Sequence, residues 1–271
     1  MADQRQADAV VLKGAETIDL REEGSRGVLL LHGFGDTPQT LSLLARRLHK
    51  AGYGVLVPLL PGHGRTMRAF RKSRADEWIE AASGSLATMQ RRHSETSVVG
   101  LSMGGALAVL LAARSRDVPA MVLIAPYLGM PLHLRIAAAT QRLWGRFAGE
   151  VNARNPRSIH DPIEREKNLA YGAVTASALN ELWKVVRRAR KALPAVKTPT
   201  LIIQSREDPR ILPDVAESAL NRLGAEEKRI VWTVGAGHII TVDYGRERVF
   251  TETERWLDAH THREKTAARE V

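Results

Sequence analysis

Residues 97–113 read SVVGLSMGGALAVLLAA, which combines an apolar strand pattern, a glycine-rich turn and a helix of small, apolar residues. Ser102 lies at the centre of the turn, between Gly100 and Gly104, in the pattern Gly-x-Ser-x-Gly. A serine at the tip of such a strand-to-helix turn has a strained backbone and needs small neighbours, because two chain segments pass close to it. The N-terminus of the helix favours negative charge on the serine oxygen. The stretch therefore predicts a nucleophilic serine, and a glycine-rich turn with a capping serine is the alternative.

Strand and helix patterns alternate on both sides of this turn. Strands are predicted at residues 28–32, 55–57, 97–99, 120–124, 200–204 and 229–233. Helices are predicted at residues 38–50, 76–92, 103–114, 213–223 and 246–260. Continuous apolar runs are typical of strands covered on both faces, and repeated strand–helix units favour parallel pairing. The sequence therefore predicts an α/β fold with a mostly parallel central sheet and helices on both of its faces.

The alternation stops in residues 127–194, where the sequence predicts several helices and no strand. We interpret this segment as a helical lid inserted into a core of residues 1–126 and 195–260. A chain of 271 residues is near the upper size for one hydrophobic core, which favours a single domain with a lid over two equal domains. The polar residues 261–271 are expected to form a flexible tail.

Composition excludes several kinds of chemistry. The chain has no cysteine, which excludes disulfides, a thiol nucleophile, an iron–sulfur cluster and a cysteine-based zinc site. The formal net charge is +10, and most of it lies in residues 133–197, where thirteen Lys and Arg stand against five Asp and Glu. We interpret this excess as a solvated surface and expect weak association with anionic membranes but no nucleic-acid partner. The sequence has no recognisable signal or membrane-spanning segment, which favours a cytoplasmic protein, and it does not indicate an oligomeric state.

A serine hydroxyl is a weak nucleophile unless a base accepts its proton, so a histidine is expected nearby. His238 follows a glycine-rich loop just after the predicted strand at 229–233, and it can therefore reach a site at the carboxyl edge of the sheet. His32 and His63 are competitors, but both precede the serine in the chain. His238 is therefore the predicted base.

An acid is needed to hold the imidazole in the right tautomer and to stabilise the imidazolium. Asp208 follows the predicted strand at 200–204 and is the best-placed candidate. Glu207 and Asp243 remain weaker candidates, while Asp214 is better explained as a helix-start residue.

Acyl transfer also needs N–H donors for the oxyanion. The backbone N–H of Met103 follows the nucleophile directly, and the loop after the strand at 28–32 offers the N–H of Phe34. These two amides are the predicted oxyanion hole.

Several stretches together resemble the α/β-hydrolase superfamily, in particular bacterial carboxylesterases and monoacylglycerol lipases. They are LLHGF (30–34), LPGHG (60–64), GLSMGG (100–105), PTLIIQ (199–204), Asp208 with Ile211, Leu212 and Pro213 behind it, and GHIITVD (237–243). The resemblance implies that Ser102 is the nucleophile, His238 the base and Asp208 the orienting acid, with Phe34 and Met103 as oxyanion donors.

The resemblance further implies a serine carboxylic-ester hydrolase that works through an acyl-enzyme and needs no metal or organic cofactor. The expected substrate is an uncharged ester of a short or medium acyl chain, or a monoacylglycerol. Apolar lid residues are expected to line the acyl site: Leu132, Ile136, Leu143, Trp144, Phe147 and Trp183. An acyl thioesterase with the same three catalytic residues and a binding module that retains the hydrolase fold are the alternatives.

Overall fold

A seven-stranded sheet forms the centre of the computed structural model, which describes residues 10–144 and 149–262. The strands of the chain are β1 (Ile18–Leu20), β2 (Arg26–Leu31), β3 (Gly54–Val57), β4 (Glu95–Leu101), β5 (Met121–Ile124), β6 (Glu150–Asn152), β7 (Ala173–Thr175), β8 (Thr200–Ser205) and β9 (Lys228–Thr233). The order in the central sheet is β1-β3-β2-β4-β5-β8-β9. β1 pairs antiparallel with β3, and the other pairs are parallel. The predicted fold class is confirmed.

Helices cover both faces of this sheet. They are α1 (Ser42–Lys50), α2 (Met67–Lys72), α3 (Ala75–Arg92), α4 (Met103–Ala112), α5 (Leu132–Ala139), α6 (Gln141–Trp144), α7 (Pro162–Lys167), α8 (Ala176–Ala192), α9 (Pro213–Arg222) and α10 (Arg246–His260). Within the described residues, no helix has the length and apolar character needed to cross a bilayer.

Side chains of the central strands alternate between two buried clusters. Leu29 and Leu31 of β2 pack with α3, α4 and α8 on one face of the sheet. Val28 and Leu30 of the same strand pack with α1 and α10 on the other face. Successive residues of a strand point to opposite faces, so an all-apolar strand such as β2 must be covered on both sides. This double cover fixes the sheet as a rigid base for the loops at its carboxyl edge.

The segment 127–194 differs from the all-helical lid that the sequence predicts. It contains the antiparallel pair β6–β7, with Val151 opposite Val174. Its last helix, α8, packs against α4 and buries Val185 and Val186 in the main core, so this helix also forms part of the layer that covers the sheet.

The first two residues of the tail predicted at 261–271 are attached to the core. Thr261 is buried, and its hydroxyl lies 3.1 Å from the Tyr53 hydroxyl. The backbone N–H of His262 donates to the Glu95 carboxylate at 2.7 Å. These contacts attach the end of α10 to the core, and residues 263–271 lie outside the described part of the chain.

Candidate active site

Ser102 occupies the turn between β4 and α4. Its backbone has φ 55° and ψ −115°, a conformation that residues with a side chain rarely adopt. The Ser102 N–H donates to the Ile124 carbonyl at 2.9 Å, and the Ser102 carbonyl accepts from the Tyr127 N–H at 3.0 Å. These bonds to the end of β5 hold the strained turn in place and present the hydroxyl at the carboxyl edge of the sheet.

The glycines of the turn are required by close approach of the backbone. A Cβ atom on Gly104 would collide with the carbonyl group of Leu31 in β2. A Cβ atom on Gly100 would collide with the backbone of Gly104 itself. The spacing Gly-x-Ser-x-Gly is therefore what allows α4 to start directly against β2 and β4.

Three predicted side chains meet at this turn. His238, in the loop after β9, has its Nε2 atom 2.9 Å from the Ser102 hydroxyl oxygen. The Nδ1 atom of the same ring lies 2.8 Å from the Asp208 carboxylate, in the loop after β8. All three residues are buried. The arrangement can pass a proton from a hydroxyl to an imidazole whose other nitrogen is held by a carboxylate.

Asp208 is held as a carboxylate by hydrogen bonds. Its Oδ1 atom accepts from the backbone N–H groups of Arg210 at 2.8 Å and Ile211 at 3.0 Å, and its Oδ2 atom from the Gln204 amide at 2.9 Å. Burial raises the pKa of this carboxyl. The charge and hydrogen bond of His238, together with the two backbone N–H groups, lower the pKa by more than burial raises it, so the net shift is downward. The group therefore stays ionised beside the imidazole.

The two residues predicted to supply oxyanion amides lie next to Ser102, Met103 in the chain and Phe34 in the cavity lining. Met103 is the first residue of α4, where a backbone N–H has no acceptor within its own helix. The loop that carries Phe34 passes directly over Ser102, because a Cβ atom built on Gly33 would lie 3.4 Å from the Ser102 Cβ atom. Phe34 and Ser102 line the same cavity.

The competing histidines have structural roles. His32 bonds through Nδ1 to the Gly33 carbonyl at 2.9 Å and accepts the Leu60 N–H on Nε2 at 3.1 Å, which joins the two loops. Burial lowers the pKa of His32 to about 4, with the Gly33 bond opposing this shift in part. Burial and the neighbouring His32 hold the pKa of His63 well below its usual range, in a cluster of aromatic rings. Both rings are therefore neutral, and neither contacts the serine.

In the described chain, none of the competing carboxylates is hydrogen-bonded to the imidazole of His238. Glu207 accepts the Gly235 N–H at 2.7 Å, and Asp214 is an exposed residue in the first turn of α9. Asp243 is fully buried and accepts four backbone N–H groups. The donors are those of Gly237 at 2.7 Å, His160 at 2.8 Å, Tyr244 at 2.8 Å and Asp161 at 2.9 Å.

The loop of His238 is also tied to the segment after β6. The Ser158 carbonyl accepts the N–H groups of both His238 and Ile239, each at 2.9 Å. A Cβ atom on Gly237 would collide with the backbone of Arg157 and Ser158. The close approach therefore requires glycine at 237, and it fixes the position of the imidazole relative to residues 157–161.

A cavity of about 330 Å³, here named the acyl cavity, opens at Ser102. Its apolar lining is supplied mainly by the segment 127–194: Leu134, Val151, Val174, Leu179 and Leu182. This surface can hold a hydrocarbon chain next to the serine.

Four of the six lid residues predicted from the sequence do not line the acyl cavity. Leu132, Ile136 and Leu143 are 66%, 55% and 76% exposed and do not line the acyl cavity. Trp183 packs at the edge of the core, with the Arg135 guanidinium 5.1 Å from its ring centre. Trp144 is the last residue of α6, and Phe147 lies outside the described residues. Helix α5 carries apolar residues on both faces: Leu134 lines the acyl cavity and Ala138 is buried, whereas Leu132 and Ile136 are exposed.

Four polar residues of the acyl cavity were not predicted: Asp36, Tyr127, Asn152 and Arg210. Burial raises the pKa of Asp36 to about 6, although hydrogen bonds from Thr37 and Thr40 oppose the shift. Burial raises the pKa of Tyr127 to about 12, so its hydroxyl keeps its proton. Arg210 stands two residues after Asp208, and Asp36 stands two residues after Phe34, so proximity to predicted site residues was the available signal. In the described part of the chain, no group of three His, Asp or Glu is arranged to hold a metal ion.

Comparison with known proteins places these residues in a family. Residues 23–244 match the family model described as serine aminopeptidase, S33. A thermostable monoacylglycerol lipase of Bacillus sp. (strain H-257) is 30% identical over 252 residues, covering 92% of this chain and 97% of that protein. A carboxylesterase of Bacillus subtilis (strain 168) is 22% identical over 239 residues, covering 87% of this chain and 93% of that protein.

The solved structures agree with this assignment. A structure from work on LipS and LipT, two metagenome-derived lipolytic enzymes, superposes with a TM-score of 0.85 at 30% identity, covering 93% of this chain and all of that one. The resemblance to the α/β-hydrolases predicted from the sequence is confirmed. Because the family model matches most of its length, this chain belongs to the serine aminopeptidase (S33) family and has the α/β-hydrolase fold.

Proposed function

We propose that this protein is a serine hydrolase that cleaves carboxylic esters through an acyl-enzyme on Ser102. The observation that carries the proposal is the continuous hydrogen-bonded chain from the Ser102 hydroxyl through His238 to Asp208. The relatives named as a monoacylglycerol lipase and a carboxylesterase support the same reaction class.

The reaction has two half-reactions. The Ser102 oxygen attacks the ester carbonyl as His238 takes the hydroxyl proton, and the N–H groups of Phe34 and Met103 stabilise the oxyanion. His238 then gives that proton to the departing alcohol oxygen as the acyl carbon–oxygen bond breaks. Water repeats the sequence on the acyl-enzyme, and its proton passes through His238 back to the Ser102 oxygen as the acid leaves.

Substitution of the nucleophile tests this mechanism. Ser102→Ala is expected to abolish hydrolysis of p-nitrophenyl butyrate with an unchanged unfolding temperature. Ser85→Ala is the matched control, because this half-buried serine of α3 bonds to the Ala81 carbonyl of its own helix and does not line the acyl cavity. Labelling by a fluorophosphonate probe separates an enzyme from a binding module that retains the fold. Hydrolysis by Ser102→Ala at the wild-type rate would refute the assignment.

The acyl cavity supports an aliphatic acyl group in the substrate. Leu134→Trp narrows the cavity and is expected to shift the preferred p-nitrophenyl ester toward shorter chains, whereas Leu132→Trp, two residues away and exposed, is not. If both variants showed the same preference for ester chain length, the acyl chain would bind outside the acyl cavity.

We also propose weak association with anionic membranes. Leu132 and Ile136 lie one turn apart on α5 and are exposed, in the segment that holds most of the positive charge. We expect the wild type to sediment with anionic vesicles. This binding should be lost in the double variant Leu132→Ser/Ile136→Ser and at high salt. Equal binding to neutral vesicles would contradict the proposal. The cytoplasmic location remains a prediction, which cell fractionation tests.

A further inference from the structure

A second cavity, of about 550 Å³, adjoins the acyl cavity and is here named the arginine cavity. The two share four lining residues: Ala170, Gly172, Arg210 and Ile239. The two cavities are therefore neighbours that share part of their walls.

The charged lining of the arginine cavity is mainly positive. Arg154, Arg165 and Arg210 line it, with Glu166 as the one carboxylate among its lining residues. Within the described chain, none of the three guanidinium groups forms an ion pair with a carboxylate. Most charged side chains on a protein surface need no ligand, and the carboxylates of Asp36 and Asp208 act on Arg210 from a distance. Arg154 and Arg165 have no ion-pair partner among the described residues, so the positive charge beside the nucleophile favours an anionic ligand.

Two of these guanidinium groups are oriented by the protein and keep donors for a ligand. Arg210 donates from Nε to the Ser158 hydroxyl at 2.8 Å and from Nη2 to the Ala153 carbonyl at 2.9 Å. Arg165 donates from Nη1 to the carbonyls of Pro156 and Ile159 at 3.2 and 3.1 Å. An arginine has five N–H donors, so each retains several for another acceptor.

Arg154 is placed by a glycine at the junction of the two cavities. Gly172 has φ +65°, and a Cβ atom there would collide with the Arg154 side chain. The absent side chain lets Arg154 lie against a residue that lines both cavities. Any other residue at 172 would be strained and would push the guanidinium away from this position.

We propose that the arginine cavity binds a phosphate group carried by the alcohol part of the ester. The acyl chain then lies along Leu134 and Leu179, and the leaving alcohol extends toward the arginines. The inference rests on the proposed ester hydrolysis and changes the expected substrate from a neutral monoacylglycerol to a phosphorylated one. The phosphate takes no part in bond breaking: the acyl carbon–oxygen bond breaks, and the alcohol leaves with its phosphate intact.

A matched pair of substrates tests the proposal. The kcat/KM of the wild type is measured on 1-acylglycerol 3-phosphate and on 1-acylglycerol with the same acyl chain, and a preference of about tenfold for the phosphorylated ester is expected. Arg154→Gln and Arg165→Gln are each expected to reduce this ratio about tenfold. Arg116→Gln, beyond the far end of α4, is the control and leaves the ratio unchanged. Unfolding temperatures show that the variants are folded.

An acyl-CoA with the same chain identifies the source of the phosphate. If the wild type prefers acyl-CoA as well as the acylglycerol phosphate, the arginine cavity recognises the phosphates of a thioester carrier. If it prefers only the acylglycerol phosphate, the cavity recognises a lipid head group. A wild-type ratio of one or below, or a ratio unchanged in both cavity variants, would overturn the proposal and leave ester hydrolysis intact. If the wild type cleaved none of the three esters (the two acylglycerols and p-nitrophenyl butyrate), the proposed function would be refuted, and this inference with it.

Discussion

Asp208 and Asp243 are both buried carboxylates in loops at the carboxyl edge of the sheet, yet they bind different groups: a side-chain ring in one case and only backbone N–H groups in the other. Asp208 accepts two backbone N–H groups and a side-chain amide, and it reaches the imidazole of His238 with its remaining capacity. Asp243 accepts backbone N–H groups alone, from the His238 loop and from residues 160 and 161. The first carboxylate bonds to the ring of the proposed base, and the second bonds to the chain that carries it. Burial and location alone do not separate these roles, but the identity of the donors does.

Among the carboxylates, the largest effect is expected from Asp208→Asn. An asparagine can present an N–H group to Nδ1 and favours the wrong imidazole tautomer, so kcat on p-nitrophenyl butyrate is expected to fall by about 10³- to 10⁴-fold. The unfolding temperature changes little if the amide oxygen still accepts the backbone N–H groups. If kcat fell by less than tenfold, another carboxylate would have to orient the imidazole, and the contrast with Asp243 would not hold.

Asp243→Asn is expected to act on stability first. One of its oxygens becomes an N–H donor that faces backbone N–H groups, so the free energy of unfolding is expected to fall by about 3 kcal/mol, measured by urea denaturation. Because the His238 loop loses support, kcat falls by about tenfold. Asp214→Asn, an exposed aspartate, is the control and should change stability by under about 0.5 kcal/mol. If kcat fell as far in Asp243→Asn as in Asp208→Asn, with no loss of stability, the two carboxylates would have the same role.

Asp36 extends the comparison to a carboxyl that burial makes hard to ionise. Its pKa of about 6 lies above the value of 3.8 expected in the unfolded chain, so the native protein holds this proton more tightly. The wild type therefore loses stability as the pH rises from about 4 to 6. Asp36→Asn removes this dependence and is expected to gain about 1–2 kcal/mol relative to wild type over that range. His32 titrates in both proteins and cancels in the difference; parallel pH profiles would refute the effect.

The smallest effect is expected from Glu207→Gln. Its carboxylate accepts only the Gly235 N–H among the described residues, and a glutamine oxygen can accept the same bond. We expect less than a twofold change in kcat and a change in stability within about 0.5 kcal/mol. A large loss of activity would show that the exposed neighbour of Asp208 contributes to the site.

The sequence predicted the parts of this site that depend on local chain geometry. The turn around Ser102 has a composition that close packing requires, and the apolar strands have a doubly covered pattern, so both were recognisable. Which of Asp208 and Asp243 contacts the imidazole depends on contacts between distant loops, which a single sequence does not encode locally. Their order in the chain and the family resemblance favoured Asp208.

The lid was predicted least well, for two physical reasons. Helix α5 has apolar residues on both faces, so periodicity could not distinguish the inward Leu134 from the exposed Leu132. Strand β6 has only three residues, all exposed, and lacks the apolar alternation that indicates a strand. Neither feature is visible until the partner surfaces are known.

The Ser158 carbonyl has a consequence for anyone who wishes to exchange the lid. Because this one oxygen holds the N–H groups of both His238 and Ile239, residues 157–161 behave as part of the catalytic frame although they lie within the inserted segment. A chimera that imports another protein's residues across this stretch would inherit a misaligned base, whereas one whose downstream joint precedes residue 157 would keep it aligned. The boundary that matters for engineering is therefore set by a shared hydrogen-bond acceptor and not by where the helices begin.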